Sequence, residues 1–256
     1  MPLSSILIAT ASQVAPRLSS RLLASSGYTL DPRRLGDDSV YSAWSAETAE
    51  RQNRAWMPIV EAARAGKPRE DVVALFDALA DVEASVSTVL EVGCGGGYNS
   101  ELIAMRRPEL RYTGVDLSSA MIELCKRHYP ERTFATASAY DLDFADHSFD
   151  IVLDGVALLH MLRWQTALAQ YARVSADWVI LHGLTLSDSS PTTAFAKYAY
   201  GQPSHELIFN RGEMLTECEA VGLGLESRHP CLDYDLKRYL GITTVSETWV
   251  LRHAKR

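Results

Sequence analysis

Only four of the 256 residues are cysteines, and Cys94, Cys125, Cys218 and Cys231 neither form a CxxC pair nor have a histidine at zinc spacing. No disulfide framework is needed, no metal is expected, and a reducing compartment, the cytoplasm, suits the chain best. No window approaches the ~18 consecutive apolar residues of a spanning helix, so no membrane partner is expected. The N-terminus offers only Ile6–Ala9 as an apolar stretch, with no basic residue before Arg17, which does not read as a secretion signal. Basic residues are in deficit: 25 Lys and Arg against 32 Asp and Glu leave a net charge of −7, which repels phosphate backbones and argues against nucleic acid. Internal repeats and low-complexity tracts are absent as well. With 47% apolar and 22% charged residues, 15 Gly and 10 Pro, the chain reads as a folded globular protein large enough to bury an ordinary core.

Charge divides the chain. Residues 1–36 carry a net +3 and the remaining 220 carry −10. The first thirty residues lack acids and hold seven serines with Arg17 and Arg21, a composition shared by organelle transit segments and by a leading helix packed on the domain. Val14, Leu18 and Leu22 suit a short amphipathic helix ending at Gly27. A helical pattern punctuated by Tyr41, Trp44 and Trp56 runs from about Tyr41 to Ala65, and after Pro68 a second helix carries the stripe Val72, Val73, Leu75, Phe76 and Leu79.

The period then changes to apolar runs alternating with helical stretches, the pattern of a parallel sheet wrapped by crossovers. Strands are expected at Thr88–Val92, Tyr112–Asp116, Thr133–Ala137, Ile151–Asp154 and Trp178–Leu181, with helices at about Tyr98–Met105, Ser118–His128 and Trp164–Arg173. Asn210 with Glu213 three residues on reads as a capping-box start for a helix running to Gly222, and Gly224–His229 and Glu247–Arg252 read as the last strands. These patterns divide the chain into an N-terminal helical cap, 1–85, and a main α/β domain, 86–256, interrupted by an insertion at about 183–209.

The most informative stretch is Thr88–Tyr98, where a buried strand enters glycines and then a helix. Glycines let the backbone turn sharply and let a ligand approach main-chain amides, while the helix start presents N–H groups to an anionic end. Asp116, nineteen residues after Gly97, closes the next strand, where its carboxylate can accept both hydroxyls of a ribose. These features specify an adenosine-bearing ligand. A dinucleotide fingerprint would require glycine where Tyr98 stands, and a large ring there obstructs close packing of helix on strand.

The residues instead read E-x-G-x-G-x-G through Glu91, Gly93, Gly95 and Gly97, which resembles the first motif of class I S-adenosylmethionine-dependent methyltransferases. The resemblance spans about Thr88–Leu181, with a weaker tail to Arg252. It implies a Rossmann-like α/β fold: a seven-stranded, mostly parallel sheet with an antiparallel last strand and helices on both faces. It further implies an enzyme that binds S-adenosyl-L-methionine and methylates a small molecule. By that resemblance Gly93, Cys94, Gly95 and Gly97 cradle the cofactor, Glu91 orients its amino end, Asp116 and the adjacent Leu117 hold the nucleoside, and Val156 borders it after the fourth strand. At the third strand the family's adenine-binding acid is replaced by Ser138, followed by Ala139. Either these two meet the adenine or Asp141 supplies the acceptor. Tyr41 stands where related enzymes close over the cofactor, and either donates to the methionine carboxylate or packs the first helix.

Methyl transfer from a sulfonium chiefly requires the acceptor to reach near-attack distance, so a base is optional. His160 and His182, after the fourth and fifth strands, are the candidate catalytic residues; each is either a base near the cofactor or a hydrogen-bonded packing residue. His128, His147, His229 and His253 read as surface residues. The family's Asn/Asp-Pro-Pro-Tyr motif for exocyclic amines is absent. The stretch from His182 to Asn210 is too long for a bare connection and reads as a lid or substrate-binding insertion. Its residues include Thr192, Tyr200 and His205, and its aromatics Phe195, Tyr198 and Phe209 either wall a pocket or form a helical core stripe. Two rival readings stay open: a catalytically silent protein with this fold serving as a binding or partner subunit, and a nicotinamide-dependent oxidoreductase.

Overall fold

Apolar residues on consecutive positions of the central strands alternate between two cores, which fixes a sheet covered on both faces. In the computed structural model, which describes residues 28–29, 45–199 and 202–254, Val89, Ile151, Leu153, Trp178, Ile180 and Val250 face one core while Leu90, Val152, Val179, Leu181, Trp249 and Leu251 face the other. The elements in chain order are β1 (Tyr28–Thr29), α1 (Ala46–Arg64), α2 (Glu70–Asp81), β2 (Thr88–Val92), α3 (Tyr98–Arg106), β3 (Arg111–Asp116), α4 (Ser119–His128), β4 (Thr133–Thr136) and β5 (Phe149–Gly155). A 3-10 turn (Leu158–His160), α5 (Trp164–Val174), β6 (Ser175–Ser187), β7 (Thr193–Ala199), β8 (Gln202–Asn210), α6 (Arg211–Ala220), β9 (Leu223–Pro230), α7 (Lys237–Leu240) and β10 (Val245–His253) complete it. The Val14–Leu22 helix, Tyr41, Trp44 and Tyr200 lie outside the described residues.

Seven strands lie in the order β4-β3-β2-β5-β6-β10-β9, parallel from β4 to β6, with β10 antiparallel to both β6 and β9. Helices α2, α3 and α4 pack on one face and α5 and α6 on the other. Helix α1 starts at Ser45, whose hydroxyl accepts the Thr48 amide, and lies over α3 and α4. Ser118 caps α4 in the same way. Asn210 caps α6 by accepting the Glu213 amide at 3.0 Å, but the expected capping box does not close. The Glu213 carboxylate instead accepts from the Thr192 amide at 3.2 Å, tying down the loop before β7.

Two expectations are corrected. The fifth parallel strand, β6, runs over 13 residues instead of stopping at Leu181. Polar His182 and Thr185 interrupt its apolar run, but β10 continues to pair with it as far as Leu186. The insertion is a hairpin, β7 antiparallel to β8, and not a helical aromatic stripe. β8 joins the exposed edge of β6 through Leu186↔Phe209 and Ser187↔Asn210, and Tyr28–Thr29 pair with the outer edge of β7. Phe195 and Phe209 are fully buried core residues, which resolves their two readings against a pocket wall.

The turn leaving β2 has no room for a side chain. Gly93 has φ +72°, and a Cβ on it would lie 2.1 Å from that of Ala157. Gly222 shares a positive φ (+83°) but faces open space. Alanine at either position costs about 1–2 kcal/mol for the left-handed backbone, and at Gly93 overpacking adds roughly 1–3 kcal/mol. Gly93→Ala therefore lowers the midpoint of thermal unfolding clearly more than Gly222→Ala; equal losses would show that the turn relaxes freely.

Candidate functional site

A cavity of about 300 Å³ opens at the carboxyl ends of β2, β3, β5 and β6, where the strand order reverses between β2 and β5. In open α/β sheets this is where ligands bind. Its floor is the glycine turn. The Gly93 and Cys94 amides both donate to the Val115 carbonyl, at 2.8 and 2.9 Å, which binds the turn to the tip of β3. The Asp116 carboxylate completes the clamp, one oxygen accepting from the Gly95 amide at 2.9 Å and the other from the Ser118 amide at 2.8 Å. A carboxylate has about four acceptor positions, so two such bonds leave capacity toward the cavity that Asp116 lines. Burial raises its pKa, and the two amides oppose that rise.

Of the candidate cofactor residues, Gly93, Gly95, Asp116, Leu117, Ser138, Ala139 and Val156 line this cavity. Leu117 keeps 44% of its surface exposed, an apolar face suited to a ring. Ser138 and Ala139 border the cavity and Asp141 does not; the Ser138 hydroxyl accepts the Tyr140 amide at 3.2 Å. Glu91, Cys94 and Gly97 stand behind the wall. Gly97 caps α3 in the left-handed conformation, and Cys94 packs behind the turn beside Cys125, whose thiol donates to the Gly95 carbonyl at 3.0 Å. Glu91 is fully buried directly beneath Gly155, where a Cβ would meet its Oε1 at 2.1 Å. It accepts from Asn99 Nδ2 at 2.7 Å and from the Tyr112 hydroxyl, and burial pushes its pKa up to about 8.

Both candidate histidines line the cavity. His160 donates Nδ1–H to the His205 carbonyl at 2.7 Å, because a carbonyl only accepts. That bond fixes the tautomer and leaves the lone pair on Nε2, and burial lowers the ring's pKa. His182 Nδ1 meets the Thr248 hydroxyl at 2.8 Å, and burial takes its pKa down to about 4. Asp154 positions the first of these rings: its Oδ1 accepts the Ala157 and Leu158 amides at 2.9 and 3.0 Å, its Oδ2 accepts the Tyr171 hydroxyl at 2.9 Å, and burial raises its pKa to about 6. These bonds hold Val156 at φ +69°, a strained backbone for a β-branched residue at the cavity edge.

Other lining residues were not singled out by the sequence. Gln52 Oε1 is buried at the cavity wall with no hydrogen-bond partner among the described residues. An orphaned acceptor beside the glycine turn fits the ammonium end of an amino acid-bearing ligand. Trp56 stacks on Tyr98 at 4.2 Å, so the ring that blocks the dinucleotide register turns up against α1. Arg69 lies over Trp56 and forks onto Asp71. Gln52 and Asp71 sit in amphipathic helices and Arg69 at the start of one, where a solvated position explains them equally well, so the chain pattern carries no signal for them.

Residues 90–177 match the family model described as a methyltransferase domain. These residues belong to the methyltransferase-domain family. Around this methyltransferase domain the chain is 35% identical over 144 residues to phthiotriol/phenolphthiotriol dimycocerosates methyltransferase 1 of Mycobacterium ulcerans, covering 55% of this chain and 53% of that one. It is 32% identical over 180 residues to fatty-acid O-methyltransferase of Mycolicibacterium smegmatis, covering 68% and 64%. The chain thus spans about half to just under two thirds of the length of these relatives. The fold is similar to that of magnesium protoporphyrin IX methyltransferase from Synechocystis, solved with S-adenosylhomocysteine bound, at a TM-score of 0.60 and 14% identity over 86% of this chain and all of that one. Among the described residues no helix is long and apolar enough to cross a membrane.

Glu91 makes the stability of the domain pH-dependent. Its folded pKa of about 8 exceeds the ordinary 4.5, so the folded chain binds the extra proton between those values and stability is lost as pH rises through them. Glu91→Gln cannot ionise, and its thermal midpoint gains on that of the wild type as pH goes from about 5 to about 8. The depressed His182 is common to both proteins and cancels. A constant difference between the two melting curves would place the Glu91 pKa at its ordinary value.

Proposed function

We propose that this chain transfers a methyl group from S-adenosyl-L-methionine to an oxygen of a small-molecule acceptor. One observation carries the reading: a glycine turn clamped by the Asp116 carboxylate and a neutral histidine held in one tautomer converge on a single cavity at the switch point of the sheet. The residues present fit the cofactor. Asp116 offers its remaining lone pairs to vicinal hydroxyls, Leu117, Ser138, Ala139 and Val156 frame the base, and Gln52 Oε1 supplies an acceptor for the amino group. Glu91 acts from beneath Gly155 by holding Asn99 and Tyr112.

When bound, S-adenosylmethionine supplies an electrophilic methyl group on a good leaving group. His160 takes the acceptor's hydroxyl proton on Nε2, since its Nδ1–H is committed to the His205 carbonyl. Its lowered pKa keeps the ring unprotonated and able to accept at neutral pH. His182 is neutral for the same reason and orients the acceptor's polar edge with Thr248 behind it. O-methylation is supported by the names of relatives such as the fatty-acid O-methyltransferase. In this reading residues 1–85 belong to a cap and 86–256 to the catalytic domain, and the free buried cysteines fit a cytoplasmic setting. The acidic balance leaves nucleic acid outside the substrate range.

Two variants separate binding from transfer. Asp116→Ala weakens S-adenosylhomocysteine binding, read by calorimetry, by about 1.5–3 kcal/mol, the scale of a hydrogen bond to a charged group. His160→Asn leaves that affinity unchanged and slows transfer to the best acceptor of a hydroxylated panel about a hundredfold. Unchanged affinity in the first variant would remove Asp116 from the cofactor site, and a normal rate in the second would make His160 a packing residue.

A further inference from the structure

The hairpin β7–β8 has two faces with different duties. Ala194, Leu207 and Phe209 close the core beneath α5 and α6. The opposite face, at period two, places Lys197, Ser204 and Glu206 on the cavity wall. Lys197 Nζ lies 3.2 Å from Glu206 Oε1 and 3.1 Å from the Tyr234 hydroxyl, and that hydroxyl donates to Glu206 Oε2 at 3.1 Å. Both carboxylate oxygens are thus engaged inside the triangle. The Glu206 side chain is 7% exposed and that of Lys197 28%, so the pair turns its positive end outward. The other cation on the wall, Arg69, is committed to Asp71 through two nitrogens.

The triangle stands beside the candidate base. His205, whose carbonyl holds His160, belongs to the same strand as Glu206, and both Lys197 and Glu206 act electrostatically on the His160 ring. The wall continues through polar Thr185, Ser204 and Ser246. An acyl chain packed there would strip water from these groups and return no hydrogen bonds. A carboxylate set against Lys197 would keep them paired, as charge-assisted bonds require.

We propose that the acceptor is a compact hydroxylated carboxylic acid, its carboxylate held by Lys197 and its hydroxyl turned to His160, and that long-chain lipids are not substrates. This rests on the methyl-transfer reading and deepens it. Lys197 is a specificity-determining residue: it sets which acceptors bind, while His160 takes the proton.

The test measures S-adenosylhomocysteine formation by the full chain with hydroxybenzoates, the matching neutral hydroxybenzyl alcohols, and palmitate. The expected KM for the hydroxybenzoate is at least about tenfold below that of its alcohol, and Lys197→Met erases the difference, read as the ratio of the two KM values so that any change in kcat common to both acceptors drops out. Lys197→Arg retains it. Because Lys197→Met strands a buried carboxylate, the double variant Lys197→Met with Glu206→Gln, which keeps the Tyr234 bond, must give the same loss of preference in a folded protein. The proposal is overturned by equal KM values in the wild type, by an equal rise for acid and alcohol in the variants, by faster methylation of palmitate, or by no turnover on any probe while S-adenosylhomocysteine still binds. Absence of S-adenosylhomocysteine binding would overturn the methyl-transfer reading itself, and this inference with it.

Discussion

The Asp116 carboxylate reaching back to the Gly95 amide is the contact on which the rest of the site depends. With the Ser118 amide on its other oxygen, it joins the end of β3, the turn after β2 and the entry of α4 into one unit. The turn is bare because it has to be: Gly93 abuts Ala157 too closely for a side chain. A carboxylate buried at this point is costly unless it is hydrogen-bonded, and the two amides offset that cost while its remaining lone pairs stay available to the cavity. The same two bonds that stabilise the fold therefore preorganise the ligand end of the sheet.

The carboxyl end of β5 repeats the device with different chemistry. Asp154 satisfies the amides of the next turn and the Tyr171 hydroxyl, and so bears the strain at Val156. That turn delivers His160 to the cavity, and the hairpin carbonyl of His205 locks its tautomer. Three buried carboxylates, Glu91, Asp116 and Asp154, thus surround one site with raised pKa values from the same cause, desolvation. Glu91, with its pKa at about 8, is mostly neutral at pH 7, so a cationic sulfonium nucleoside gains from those of the three that stay ionised, Asp154 with a pKa of about 6 among them. The hairpin adds the Lys197–Glu206 ion pair to the wall of the same cavity.

The legible parts of the chain were those whose chemistry forces a local pattern. β2 was read with its observed bounds because an apolar run must stop where the backbone turns on glycine. Asp116 followed from where a strand ends and Ser138 and Ala139 from the family resemblance, and all three border the cavity. The hairpin escaped because Ser204, His205 and Glu206 are buried polar residues, so β8 shows no alternation of apolar and polar positions. Gln52, Arg69 and Tyr234 escaped for another reason: each reaches the cavity only through tertiary packing of α1, the start of α2 and the segment after β9. Asp154 carried no sequence signal beyond ending a strand, and its bonds to the Ala157 and Leu158 amides and the Tyr171 hydroxyl appear only in the structure. Glu91, expected to orient the cofactor's amino end, is fully buried under Gly155.

The central claim is that the clamped glycine turn and the Asp116 carboxylate together hold the nucleoside. A crystal structure of the chain grown with S-adenosylhomocysteine tests it most directly. The account predicts density crossing Gly93–Gly95 with both ribose hydroxyls on the Asp116 carboxylate and the sulfur directed toward His160. Density for the nucleoside elsewhere, with Asp116 bound only to the Gly95 and Ser118 amides, would contradict it.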